Sequence, residues 1–160
     1  MKKIHVLYGA IIGVLLLVIA GLVYKFLLAG KTVTTEDRRT AIIMEPAERA
    51  FVLEEMRALL DAIRAMTDAV ARDDMKKVAA AARAVGLAAA QHVPAAVAAK
   101  LPLEFKTMGR GVHAEFDRIA LDAEAMGDGK HTLTQMGELL GRCVACHAIY
   151  QINPAAAPPK

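Results

Sequence analysis

Cys143-Val144-Ala145-Cys146-His147 holds the only two cysteines of this 160-residue chain and places a histidine directly after the second. On a helix, positions i, i+3 and i+4 lie on one face, so all three side chains can meet one flat ligand. Cys-x-x-Cys-His is the attachment pattern of a c-type haem. The two thiols become thioethers to the haem vinyl groups, and the imidazole takes one axial position on the iron. A thioredoxin-like redox pair would sit at the start of a helix after a buried strand, and no strand is expected ahead of this motif. A zinc site needs four nitrogen or sulfur ligands, and no further cysteine supplies them. The spacing favours one covalently bound haem.

No catalytic constellation accompanies the motif. Glu54-Glu55 and Asp73-Asp74 are adjacent in sequence and so diverge on a helix; each reads as a solvated face or a cap. The expectation is a haem protein that is not an enzyme. The chain has 20 basic and 17 acidic residues; three of the basic ones (Lys2, Lys3, Lys25) flank the apolar N-terminal run, which leaves 17 against 17. With no basic patch interleaved with aromatics, nucleic acid is excluded as a partner.

Residues 1–30 read as a membrane anchor. Met1-Lys2-Lys3 precedes Val6 to Tyr24, a run without charge that spans roughly 29 Å at about 1.5 Å per residue, close to a bilayer core. A signal peptide shares the basic start and the apolar stretch. Cleavage after Val18-Ile19-Ala20, however, would leave Gly21 to Ala29 as a greasy new terminus. Lys25 can snorkel and Tyr24 suits the interface. Basic residues on both sides leave the orientation open. Haem c attachment on the outer side of the energy-coupling membrane places the N-terminus inside and the haem domain in the periplasm, as a single-pass protein of the cytoplasmic membrane. Gly9 and Gly13 form a Gly-x-x-x-Gly pattern that could pair two anchors.

Residues 31–45 read as a linker, and no segment alternates well enough to be a strand. Pro46 suits the first turn of a helix. Val52, Met56, Leu59, Leu60, Ile63, Met66 and Val70 then recur at helical spacing on one apolar face, and the helix ends near Arg72, with Asp73 capping the next. The second helix runs from about Asp74 to His92. A short alanine-rich link lies between Pro94 and Pro102. The third helix runs from about Pro102 to Met126, with Phe105, Met108, Val112, Phe116 and Ile119 inward. Thr132 and Gln135 form a capping box for the fourth. That helix carries Leu133, Met136, Leu140, Cys143, Cys146, His147 and Tyr150 along one side up to Asn153-Pro154, before a loose tail from 154 to 160. The expected fold is therefore all-α: one transmembrane helix, then an antiparallel four-helix bundle over residues 46–153 with the cofactor among facing helices. Phe51, Phe105, Phe116 and Tyr150 are the only aromatics after the anchor, so a buried haem would fill space that aromatics usually take.

A four-helix chain with Cys-x-x-Cys-His in its last helix, and an aromatic three residues after the histidine, resembles the cytochrome c-prime family and its low-spin monohaem relatives. The matching residues are Cys143, Cys146, His147 and Tyr150, and the resemblance covers roughly Pro46 to Ile152. Class I cytochromes c differ, with the motif near the N-terminus and a methionine ligand after it. The resemblance implies that a residue halfway along the first helix of the bundle covers the far haem face, and Met56 stands there as the implied sixth iron ligand. Met44, Met66, Met108, His92 and His113 are the weaker candidates. His113 reads as half-buried and hydrogen-bonded, His131 as a loop residue, and His5 as part of the membrane flank. Arg57 could reach a haem propionate. Gln151 replaces the basic residue common after the aromatic, which weakens any basic docking patch there. With His/Met ligation the protein is an electron carrier for membrane or periplasmic redox proteins; with Met56 only shielding the iron, it binds nitric oxide or carbon monoxide as a sink or sensor. Family members often pair through the first two helices, so a homodimer is a further reading.

Overall fold

The computed structural model describes residues 2–155. It opens with α1 (Lys2–Val23), continued by a π-helical turn over Tyr24–Ala29. Leu7–Ala29 has a mean hydropathy of 2.6 and none of it is buried by the rest of the chain. It is long and apolar enough to cross a bilayer, and a signal sequence has the same character. A Cβ added at Gly9, Gly13 or Gly21 would meet nothing within 4 Å, so that glycine face stands open.

Gly30 ends the helix at φ +66°, and its backbone lies against Lys100–Pro102 so closely that a Cβ would fall 2.5 Å from the Lys100 carbonyl oxygen. The Lys31 amide donates to that same carbonyl at 2.8 Å. Only glycine combines this φ with this approach.

Residues 31–45 are a β-hairpin, which corrects the linker and the strand-free, all-α expectation. The chain is mostly helical with a small sheet. β1 (Thr32–Thr34) pairs antiparallel with β2 (Thr40–Met44), and β2 pairs parallel with β3 (Tyr150–Pro154), from Thr40 opposite Tyr150 to Met44 opposite Pro154. The hairpin turns at Arg38, φ +65°. Asp37 holds the turn by accepting from the Thr35 hydroxyl at 2.6 Å and from Arg39 Nε at 2.7 Å. These bonds, Thr35's first, pull its carboxyl down to about 2. Ala41, Ile42 and Met44 are buried, so a run too short to declare a period packs as a central strand. Tyr150 is the first residue of β3 and does not continue the last helix.

α2 (Pro46–Val70) starts at Pro46, and Glu48 accepts from the Glu45 amide at 2.8 Å. Leu60, expected inward, is exposed. α3 (Met75–Arg83) is capped by Asp74, which accepts from the Lys77 amide at 3.0 Å; the expected cap, Asp73, has φ +53° instead. α3 stops well short of His92. Asp117 accepts from the Leu87 amide at 2.9 Å and packs where a Cβ on Gly86 would sit. This turns the chain into a 3-10 stretch (Ala89–His92) and the short α4 (Ala95–Ala98).

α5 (Leu103–Met126) and α6 (Gly129–Ile149) follow. The cap of α6 is Asp128, accepting from the amides of Lys130 at 2.8 Å and His131 at 3.1 Å. Thr132, the expected cap, lies inside the helix with its hydroxyl donating back to the Asp128 carbonyl. His131 is helical too, 3.3 Å from Asp122, and not a loop residue. Leu133 and Leu140 face outward. In space α2 packs on α3, α3 on α5, α5 on α6, and α6 on α2.

Two apolar clusters result. The first centres on Met66, Phe116, Ile119 and Leu139; the second on Ile42, Met44, Val97, Tyr150 and Ile152.

Candidate functional site

The interval between the two clusters is a cavity of about 370 Å³, within the usual size of a small-molecule or cofactor site. It exists because α3 is short. Past Arg83 the space beside α2 and α5 is covered by the 3-10 stretch, α4 and their flanking residues, which contribute Ala90, Val93, Val97, Ala98 and Leu101 to the wall. Alanines leave room where longer side chains would close the gap. α2 supplies Phe51, Val52, Glu55, Met56 and Leu59. α6 supplies Cys143, Cys146 and His147, so the motif and the expected distal methionine line one space.

Both cysteines are half-buried and free, in the last turns of α6. Burial pushes both thiols up, Cys146 with a further contribution from Cys143. The carbonyl end of the helix also disfavours thiolate. A reactive redox pair needs the opposite: an amide-rich helix start and a lowered thiol. Among the described residues, no three His, Cys, Asp or Glu side chains gather to hold a bare metal ion. The zinc and thioredoxin-like readings therefore lack the surroundings they require.

The end of α6 is held in place from two sides. Arg142, beside Cys143, lies 3.7 Å from the buried carboxylate of Glu115 on α5, which also receives Arg118 at 2.8 Å. On the far side, Tyr150 is buried, its ring edge-on to Phe105 at 5.4 Å and 88°, its hydroxyl donating to Glu104 at 2.9 Å. Burial first, then Glu104, pushes that phenol up to about 12. Tyr150 backs the cavity wall through Phe105 without lining it. Arg57 is exposed and outside the lining.

Of the weaker candidates, Met44 and Met66 are fully buried in the two clusters and His92 is exposed. Met108 and His113 do line the cavity. The His113 ring is fixed by Nδ1, 2.8 Å from the Val85 carbonyl; with the proton there, Nε2 keeps its lone pair. Three further residues of the wall, Lys106, Gly109 and Arg110 on α5, escaped the sequence reading. The signal was present: 106, 109, 110 and 113 follow helical spacing, one step round from 105, 108 and 112. Gly109 is informative, because a Cβ there would meet nothing within 4 Å. Mid-helix glycine costs about 1 kcal/mol relative to alanine, and here it widens a slot in an apolar wall. A flat, largely apolar group with donors at the α6 end fits these residues. No protein-family model, curated protein or solved structure matches the chain.

Proposed function

We propose that this protein is a membrane-anchored, periplasmic monohaem c-type cytochrome of the cytochrome c-prime type that carries single electrons. One observation carries the reading: Cys143, Cys146 and His147 of α6 and Met56 of α2 line the same apolar cavity between two packed cores. The closed order of contacts α2–α3–α5–α6 supports a four-helix bundle as the frame, with the sheet added at one end.

Cys143 and Cys146 would hold the haem by thioethers, and His147 and Met56 would supply a nitrogen and a sulfur to its iron. When bound, the haem supplies one-electron cycling between ferric and ferrous iron. A histidine/methionine pair raises its potential relative to histidine alone. The residues of this chain do the rest. Phe51, Val52, Leu59 and Val97 would give the haem an apolar wall, and the Arg142–Glu115 ion pair would draw the end of α6 toward α5. α1 would keep the domain at the periplasmic face of the cytoplasmic membrane, near membrane or periplasmic redox partners. The clamp at Gly30 makes it a mount with a set position, where a flexible linker would leave the domain free to wander.

Two measurements test the proposal. Intact mass and an alkaline pyridine spectrum report covalent haem, which Cys143→Ser with Cys146→Ser removes. Optical spectra of the ferric and ferrous protein, with and without carbon monoxide, report the sixth ligand. Low-spin ferrous bands that ignore the gas, converting to high-spin in Met56→Ala, are the expected result. High-spin bands that shift at once with carbon monoxide would replace the electron carrier by a gas-binding protein.

A further inference from the structure

We infer that Lys106 and Arg110 of α5 form a two-cation clamp for the carboxylate edge of a flat, apolar dicarboxylate held in the cavity. The inference rests on the proposed haem and names the groups that take its two propionates. α5 turns two stripes toward the space. Phe105, Met108 and Val112 make an apolar one; Lys106, Gly109, Arg110 and His113 make a polar one at i, i+3, i+4 and i+7.

Lys106 and Arg110 are one helical turn apart, about 6 Å between Cβ atoms, and Gly109 beside them presents no side chain. A flat group would find open space at Gly109 with a cation on either side of it in sequence to take its acidic edge. Neither cation forms an ion pair among the described residues, and of the arginines without one (Arg38, Arg49, Arg57 and Arg110) only Arg110, itself exposed, lines the cavity. Lys106 reaches only the Phe26 carbonyl, at 3.4 Å. Two unspent charges on an apolar wall match a ligand that is apolar in its body and anionic at one edge. Arg57, the propionate partner expected from sequence, is exposed like Arg110 but lies off the wall. The Phe26 contact also sets this edge of the cavity beside the end of the apolar N-terminal helix.

The test uses the full-length haem protein and follows its midpoint potential against pH. Ionisation of a propionate bends that profile, and a cation within a few ångströms lowers the pH of the bend by one or more units. Lys106→Gln and Arg110→Gln should each raise it by roughly one unit, Arg110→Lys should restore most of the shift, and Arg57→Gln should leave the profile unchanged. A loaded protein whose profile ignores both α5 variants, or moves only with Arg57→Gln, overturns the clamp and leaves the cytochrome standing. A purified protein of unmodified mass, with no haem absorbance, overturns both.

Discussion

The two apolar cores are made of the same kinds of residue and finish differently. In the first, Met66, Phe116, Ile119 and Leu139 are fully buried, and α3 fills the side of the domain between α2 and α5. In the second, Ile42 and Met44 are equally buried, but Phe51, Met56, Phe105, Met108 and Cys146 stop half-way, at the edge of the cavity. The chain does not lack apolar residues to close the gap: Leu60, Leu133 and Leu140 are spent on the surface. The open core interrupts its large apolar residues, such as Phe51, Leu59 and Phe105, with small ones (Ala90, Ala98, Gly109) and with Cys143, Cys146, His147, Lys106 and Arg110. Closed packing and open packing thus coexist in one domain, and only the second leaves a cavity.

The largest effect should come from breaking the closed core. Phe116→Ala should lower unfolding stability by about 3–5 kcal/mol, read by urea denaturation, without altering the visible spectrum, since Phe116 is not on the cavity wall. Phe51→Ala should cost markedly less, because its ring already faces empty space on one side, yet it should change the spectrum by admitting water. Equal stability losses with no spectral difference would erase the distinction between the cores.

Tyr150 ties the sheet to the cavity wall, and its hydroxyl gives a smaller, pH-marked effect. Burial and Glu104 hold the phenol near 12, above the ordinary value of about 10. The folded state thus favours the neutral form. Its stabilisation is fully present below about pH 10 and is lost as pH rises through 12. Tyr150→Phe should cost about 1 kcal/mol at neutral pH and flatten this alkaline limb of the stability profile. A limb unchanged in the variant would assign it to other groups.

Much of the closed core was legible, because Met66, Phe116 and Ile119 sit at clean helical spacing and burial follows period. The spacing of Cys143, Cys146 and Met56 on long helices also let their approach to one cavity be read, with both cysteines and Met56 half-buried and His147 exposed at the same wall. The sheet was not. Ala41–Met44 is too short to show a period, and Tyr150 fits the helical stripe of Cys143 and Cys146 equally well until β2 recruits it as a strand. The caps at Asp74 and Asp128 each lay beside a residue of similar capping propensity or near a plausible box, and backbone geometry decided. The polar stripe of α5 was hidden by type: a lysine, an arginine and a histidine at helical spacing read as a solvated face unless something shows that the facing space is a cavity.

The smallest effect gives the sharpest comparison between wall and surface. Gly109 and Gly137 are both mid-helix glycines whose added Cβ would meet nothing within 4 Å, one on the cavity wall and one on the outer face of α6. Alanine at either should favour the helix by about 1 kcal/mol or less. In a Cys143→Ser/Cys146→Ser background, which lacks the covalent ligand, the two substitutions should stabilise alike, because both sites are then open. In the loaded protein only Gly137→Ala should keep its gain. Gly109→Ala should lose it and shift the absorption bands, since the new methyl group and the flat ligand compete for the same slot. Equal gains in both backgrounds would mean that nothing presses against α5 at Gly109, and the bound group would then lie elsewhere along the cavity.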